Sequence, residues 1–393
     1  MTKNSMYIQV LLLSIAQAFF QIVSIMVMTI GGLAGKKIAQ IPELATLPIA
    51  TMFLGTAILT FPASIWMSKV GRRSGFIIGA IAGVMGAIVS LFGILYDSLL
   101  CYSIGTFLIG SFQAFAQFYR FAASEVATPD FRPKAIALTM AGGIVAAFSG
   151  PYLARLGGPL LNTEYTGSFL IMAVIAIVSA ILLIGLKIPN HVELEGNNVK
   201  NRPLYKIILQ PAYMVALFSA ATGYGIMVLA MTTTPLAMLN IHGLDAVALV
   251  IQFHVLGMFV PSFFTGTLIA RFGTLPIMLF GVFFSIGYVV VSATSTSFIS
   301  FLIALTLIGI GWNFLFIGGT SLLVKTYSAS EKGKAQATND MSIFIINLLC
   351  SFSAAGLLNF LGWKWMNLAL LPWLVICACL IIWLSIKGNK FSS

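Results

Sequence analysis

Charge is what this 393-residue sequence has least of. Only 8% of it is Asp, Glu, Lys or Arg, against 59% hydrophobic, whereas a soluble domain is roughly one quarter charged. Acidic residues number 10, histidines 3 and cysteines 4. Each shortage excludes something. So few charges exclude an ordinary soluble enzyme. Cys101, Cys350, Cys377 and Cys379 all lie in apolar runs, where cysteine reads as a small hydrophobe, not as a disulfide or metal ligand. His191, His242 and His254 are scattered, so a membrane-embedded acyl or glycosyl transferase would lack its clustered site. No phosphate loop, dinucleotide fingerprint, zinc spacing or Gly-x-Ser-x-Gly elbow occurs. ATP-driven transport by this chain alone is thereby excluded, and neither a cofactor nor a metal is expected.

What the sequence has is long apolar runs, and its mean hydropathy is +1.02. A membrane span needs about 20 such residues. Runs near 6–30, 46–66, 74–96, 98–124, 134–154, 167–187, 211–238, 246–268, 275–293, 297–323, 335–361 and 365–386 predict an all-α membrane protein of twelve transmembrane helices. The first run exceeds the roughly 7–15 residues of a signal-peptide core and reads as a span. With the N-terminus inside, the cytoplasmic loops collect 16 of the 21 basic residues; Lys36, Lys37, Arg155 and Lys364 fall outside, and Arg120 within a span. Retained Lys and Arg set orientation, which places both termini in the cytoplasm of a multi-pass inner-membrane protein. The net charge of +11 is then mostly topology, and nucleic acid is not a partner.

The polar stretch 188–210 divides the spans six and six, giving an N-terminal half 1–187, a cytoplasmic linker and a C-terminal half 211–393. The halves echo each other at an offset of about 200. Ser64–Gly71 parallels Gly266–Gly273, Leu108-Ile109-Gly110 parallels Leu307-Ile308-Gly309, and Arg132–Ala135 parallels Lys332–Ala335. Two six-helix pseudo-repeats suit alternating access, in which one half rocks against the other. Gly75, Gly79 and Gly83 form a small-residue ridge for close packing.

Over its whole length the chain resembles a major facilitator superfamily transporter. That family's loop between spans two and three carries Gly, three residues, Asp, a basic residue, one residue, Gly and two basic residues. Lys69, Gly71, Arg72 and Arg73 match, and Gly266, Arg271 and Gly273 echo them; Ser64 and Ser68 replace the leading Gly and the Asp, so the Asp-based conformational lock is altered. Gly150-Pro151 resembles the antiporter motif of span five, but Ala154 and Arg155 stand where paired glycines are expected. Thr106 stands where proton-coupled drug exporters carry an arginine. The set Tyr119–Ala123, Ala141–Gly143 and Gly311–Phe314 is similar to a bacterial branch that includes riboflavin importers. The resemblance implies the rocking mechanism, a site lined by spans one, four, seven and ten, a monomer, and protons as coupling ion.

Polar residues inside spans usually face a cavity or a partner. Gln113, Gln117 and Arg120 are spaced i, i+4, i+7 on span four and predict one substrate-facing stripe. Arg120 alternatively snorkels, or pairs with Glu125 or Asp340 as a gate. Gln17 and Gln21 on span one either bind solute or bond a neighbouring helix. Trp312 and Asn313 on span ten, and Tyr224 on span seven, complete the candidate substrate site; Gly223 and Gly225 would let the helix bend at Tyr224. His254 either carries a proton or holds a structural hydrogen bond, and Asp340 either gates or accepts the proton, with gating preferred.

No acidic residue lies at the midpoint of a span, which disfavours organic cations. The expected function is secondary active transport of a small neutral or anionic organic solute, such as riboflavin, a carboxylate or a siderophore. Import is preferred over metabolite or drug efflux, which Gly150-Pro151 would suit. A non-transporting sensor or scaffold is the alternative of another class.

Overall fold

A computed structural model describes residues 3–128, 131–188, 202–328 and 331–389. Among these the backbone is helical almost throughout and forms no strand. Hydrocarbon offers backbone N–H and C=O groups no water, so a spanning chain satisfies them within helices. The helices are α1 (Lys3–Ile38), α2 (Leu47–Val70), α3 (Arg72–Leu95), α4 (Leu99–Ala116), α5 (Tyr119–Val126), α6 (Arg132–Gly157), α7 (Thr166–Ile184), α8 (Leu204–Ile208), α9 (Pro211–Phe259), α10 (Ser262–Phe272), α11 (Thr274–Thr294), α12 (Phe298–Leu323), α13 (Lys332–Leu368) and α14 (Leu371–Asn389).

Helices and spans do not correspond one to one. α9 holds spans seven and eight and turns between them at Gly243 (φ 76°, ψ 172°); α13 leaves span eleven at Gly362 (φ 71°, ψ 170°). Positive φ is open to glycine without the Cβ clash that other residues suffer. Span four is α4 followed by α5, and span eight ends in α10. The result is the expected twelve-helix arrangement with two repeats.

Two compact units emerge from the contacts, Met1–Glu195 with Gly243–Gln252, and Gly196–His242 with Phe253–Ser393. Residues 189–201 of the expected 188–210 linker lie outside the described residues; the remainder includes the short α8.

In the first unit α3 packs on α4 and α7, α1 on α6, and α2 on α4. The glycine ridge of α3 seats aromatic rings, since a Cβ on Gly79 would come within 2.6 Å of Phe115 and one on Gly83 within 2.7 Å of Phe112. Ile78, Ile81, Met85 and Phe92 of the same helix are exposed and suit a lipid-facing surface.

The repeat seen in sequence recurs in backbone geometry. Gly71 ends α2 at φ 90°, ψ 154°, and Gly273 ends α10 at φ 88°, ψ 162°. Ser98 caps α4 by accepting from the Cys101 N–H, and Ser297 caps α12 by accepting from the Ser300 N–H, each at 3.3 Å. Gly105 of α4 lies against Ser90 and Gly86 of α3, as Gly311 of α12 lies against Ser285 and Gly281 of α11.

The tightest approach joins α2 to α4, where a Cβ on Gly110 would overlap the Met52 carbonyl and one on Gly55 the Phe107 carbonyl. Gly110→Ala is therefore expected to destabilise the protein by about 1–3 kcal/mol, the usual cost of overpacking, read as a lower melting temperature in detergent. Gly266→Ala has nothing within 4 Å of the added atom and is expected to leave it unchanged.

Candidate functional site

Tyr224 is the centre of a ring cluster in the second unit. Its ring lies 5.4 Å from those of Trp312 and Phe316 on α12, and 6.4 Å from that of Phe344 on α13. Trp312 and Phe316, one turn apart, stack at 5.1 Å with planes 9° apart, and Phe259 meets the Trp312 edge at 6.1 Å. Trp312 is buried, and its indole N–H has no hydrogen-bond partner among the described residues. Gly223 and Gly225, where the sequence would let the helix bend, keep helical dihedral angles; the one non-helical residue of α9 is Gly243. The two glycines instead admit neighbours, a Cβ on Gly223 meeting Leu315 at 2.8 Å and one on Gly225 meeting Ile346 at 2.9 Å. They bring α12 and α13 up to Tyr224.

Asn313, next to Trp312, is fully occupied. Its amide donates to the Met258 carbonyl and to Ser262 Oγ, both at 2.6 Å, and accepts from Thr265 Oγ1 at 2.6 Å. Gln113 of α4, which the repeat aligns with the neighbouring Trp312, accepts from Thr56 Oγ1 at 3.3 Å. Both amides link helices, a role open to any buried carboxamide that hydropathy alone does not reveal.

The stripe expected on span four is interrupted. The Phe118 N–H bonds to the Phe115 carbonyl, one residue tighter than an α-helix, and α5 starts at Tyr119. Gln113 thus lies on α4, Gln117 at its C-terminal turn and Arg120 on α5. Arg120 stacks over Phe121 at 4.9 Å, and its buried Nε has no partner among the described residues. Gln17 is buried and Gln21 half-buried on α1.

Glu125, weighed above as a partner of Arg120, pairs with Arg72 at 2.8 Å and 3.3 Å. Arg72 also stands over Phe118 at 5.3 Å, so the loop after α2 is tied to span four through a residue other than the missing Asp. A cavity of about 360 Å³ beside it is lined by Gly71, Arg72, Arg73, Ser74 and Lys187. Arg155, in the place of an antiporter glycine, pairs with Asp245 at 3.1 Å, while Gly150 lets α6 approach Ile25 of α1.

His254 is fully buried, with Nδ1 2.7 Å from the Leu305 carbonyl. That oxygen only accepts, so Nδ1 carries the proton; Nε2 has no partner among the described residues. Asp340 accepts from Asn339 Nδ2 at 3.1 Å.

A junction missed in the sequence lies near α8. Glu331, only 4% exposed, takes Arg202 Nη2 at 2.7 Å, Nε at 2.9 Å and its backbone N–H at 3.0 Å, with the Ser328 N–H at 2.9 Å. No spacing signal links residues 202 and 331.

The family model of the Major Facilitator Superfamily matches residues 10–294 and 253–392. The chain belongs to this superfamily. The superfamily member is a multi-pass membrane transporter, not an enzyme. It is 36% identical, over 96% of both chains, to the riboflavin transporter RfnT of Brucella anthropi. To the uncharacterized MFS-type transporter YdeG of Bacillus subtilis it is 29% identical over 80% of this chain and 77% of that one. Its fold is similar to that of a bacterial homologue of the human lysosomal transporter Spinster in an inward-facing, occupied conformation (TM-score 0.74, 15% identity, 97% of both chains). The nucleoside transporter NupG gives a TM-score of 0.73 at 13% identity, covering 95% of this chain and 99% of that one.

Two predictions concern the ion pairs of this superfamily member. Arg72 and Glu125 are 24% and 32% exposed, so Arg72→Gln and Glu125→Gln are each expected to lower stability by up to about 1 kcal/mol. The double variant should be no worse than either single one in a melting-temperature cycle. The Arg202 guanidinium and the Ser328 amide hold the Glu331 carboxyl well below the usual carboxylate range. A depressed pKa stabilises the fold above the unfolded-state value and ceases to do so as pH falls through the folded one. The gap in melting temperature between wild type and Glu331→Gln should therefore be flat from about pH 8 to 5 and shrink below about pH 4.

Proposed function

We propose that this transporter imports riboflavin or a closely related flat, neutral or anionic heteroaromatic solute, driven by protons. The observation that carries the reading is the Tyr224, Trp312 and Phe316 cluster, in which the last two rings stack and Tyr224 meets both edge-on, gathering aromatic surface beside an unused indole N–H. It is supported by the 36% identity to a transporter named for riboflavin. Scarcity of acid also supports it, since the described spans carry no mid-span carboxylate to attract an organic cation.

In this reading the halves 1–187 and 211–393 rock about the linker 188–210, in the inner membrane, with both termini cytoplasmic. Tyr224 and Trp312 stack on the solute. In the first unit, Gln17, Gln21, Gln117 and Arg120 are its polar contacts, while Gln113 and Asn313 position the helices. His254, with Nε2 available as an acceptor, carries the coupling proton. Asp340, the Arg72–Glu125 pair, and the loop residues Lys69, Gly71, Arg73, Gly266, Arg271 and Gly273 govern the conformational change. The unit of transport is the monomer.

Uptake of radiolabelled riboflavin into proteoliposomes under an imposed inward proton gradient tests this. The expected result is uptake that collapses with the gradient and falls roughly tenfold in Trp312→Ala and Tyr224→Ala, since stacking of a base on an aromatic ring contributes about 1–3 kcal/mol. His254→Asn is expected to uncouple uptake from the gradient. Flux of lipophilic cations only, driven outward, would replace this reading by the efflux reading that Gly150-Pro151 suggests.

A further inference from the structure

Asn347 was left out of the candidate site, yet it is the most anomalous polar group in the second unit. Its side chain is fully buried, and neither Oδ1 nor Nδ2 has a hydrogen-bond partner among the described residues. Ser351, one turn on, is also fully buried with an unpartnered Oγ. Burying an amide with both ends unused is among the least favourable arrangements in a protein interior, and such groups call for an explanation. Asn313 in the same unit shows the ordinary outcome, since every polar atom of its amide is bonded.

The position of Asn347 supplies the explanation. Phe344, Asn347 and Ser351 are spaced i, i+3, i+7 and share one face of α13. Phe344 touches Tyr224, and the adjoining edge of α13, Ile346 and Cys350, lies against Gly225. By helical geometry Asn347 falls in angle between these two contacts, within one turn of Phe344 along α13. Trp312 Nε1 is unpartnered in the ring cluster. Flat apolar surface is thus combined with polar atoms that lack partners in the protein.

We propose that Asn347 reads the edge of the solute. A carboxamide presents a donor and an acceptor side by side, which is how Asn and Gln pair with the edge of adenine. The complementary edge has an N–H next to a carbonyl. In a flavin that is the pyrimidinedione ring, whose N3–H would donate to Oδ1 while a flanking carbonyl accepts from Nδ2. Ser351 extends the polar face along the same edge. The assignment rests on the flavin reading above and names the part of the molecule that is recognised.

Equilibrium dialysis of the purified, full-length protein against riboflavin and N3-methylriboflavin tests it, because the methyl group removes the donor and leaves the stacking surface. The wild-type protein is expected to bind riboflavin about ten- to a hundredfold more tightly, the usual effect of leaving a buried polar group unpaired. In Asn347→Leu the preference is expected to vanish while N3-methylriboflavin still binds, which also reports that the variant is folded. Trp312→Ala should weaken both ligands by a similar factor. Equal wild-type affinities, or an Asn347→Leu variant that keeps the preference, would overturn the assignment and leave the flavin reading standing. Wild-type protein that binds neither ligand would overturn both. An Asn347→Leu variant that melts as wild type yet loses both ligands would overturn it as well, because the stacking surface alone should still hold N3-methylriboflavin.

Discussion

Everything in this structure follows from how little water the hydrocarbon of a bilayer supplies. A polar group inside a span must find its partner within the protein, and the chain meets that demand at three levels. Backbone groups bond within helices. Hydroxyls bond back to their own helix, as Thr29 does to the Ile25 carbonyl and Ser285 to the Gly281 carbonyl. Carboxamides bond between helices, as Gln113 and Asn313 do. Lipid gives little apolar driving force for helices to associate, so close contact must come from shape. The glycines of α2, α3 and α4 supply it by letting carbonyls and rings approach where a methyl group would overlap them.

Against that background, unsatisfied groups stand out. Among the described residues Trp312 Nε1, His254 Nε2 and the Asn347 amide are buried without partners, in a unit where the amides of Asn313 and Asn367 are bonded at both ends. Ionic contacts follow a different pattern. Arg72–Glu125 and Arg202–Glu331 each lie outside the hydrophobic middle of a span, one within each unit. The interior is thus left almost free of net charge, and aromatic rings and neutral hydrogen-bonding groups define what it can recognise. On the reading proposed above, such a surface would select by flatness and edge pattern more than by charge.

Hydropathy made the spans legible, and the 200-residue offset made the repeat legible, because both are averages over many residues. Single residues were harder. Gln113 and Asn313 look like solute contacts in sequence, since a mid-span amide carries no mark of whether its partner is a ligand or a helix. Gly223 and Gly225 suggest a bend in sequence, while the close approach they allow to Leu315 and Ile346 shows only once the neighbouring helices are in place. The Gln113–Arg120 stripe runs across one tightened turn at Phe118, a local change of hydrogen bonding with no residue signature. The Glu331–Arg202 junction joins positions 129 residues apart, a separation that no periodicity encodes. Asn347 was not assigned to the site for the opposite reason: what singles it out is bonds that the protein does not make among the described residues.

The paired turns at Gly71 and Gly273 have a further consequence. Their dihedral angles agree within a few degrees, although the residues leading into them have diverged from Ser64–Val70 to Gly266–Phe272. If the halves descend from a duplicated ancestor, the trait inherited there is a backbone path, while the side chains around it were free to drift. The lost Asp of the first half is then the kind of change such a turn tolerates: its chemistry can be rewired, as Arg72 and Glu125 illustrate, provided the chain still reverses through a left-handed glycine.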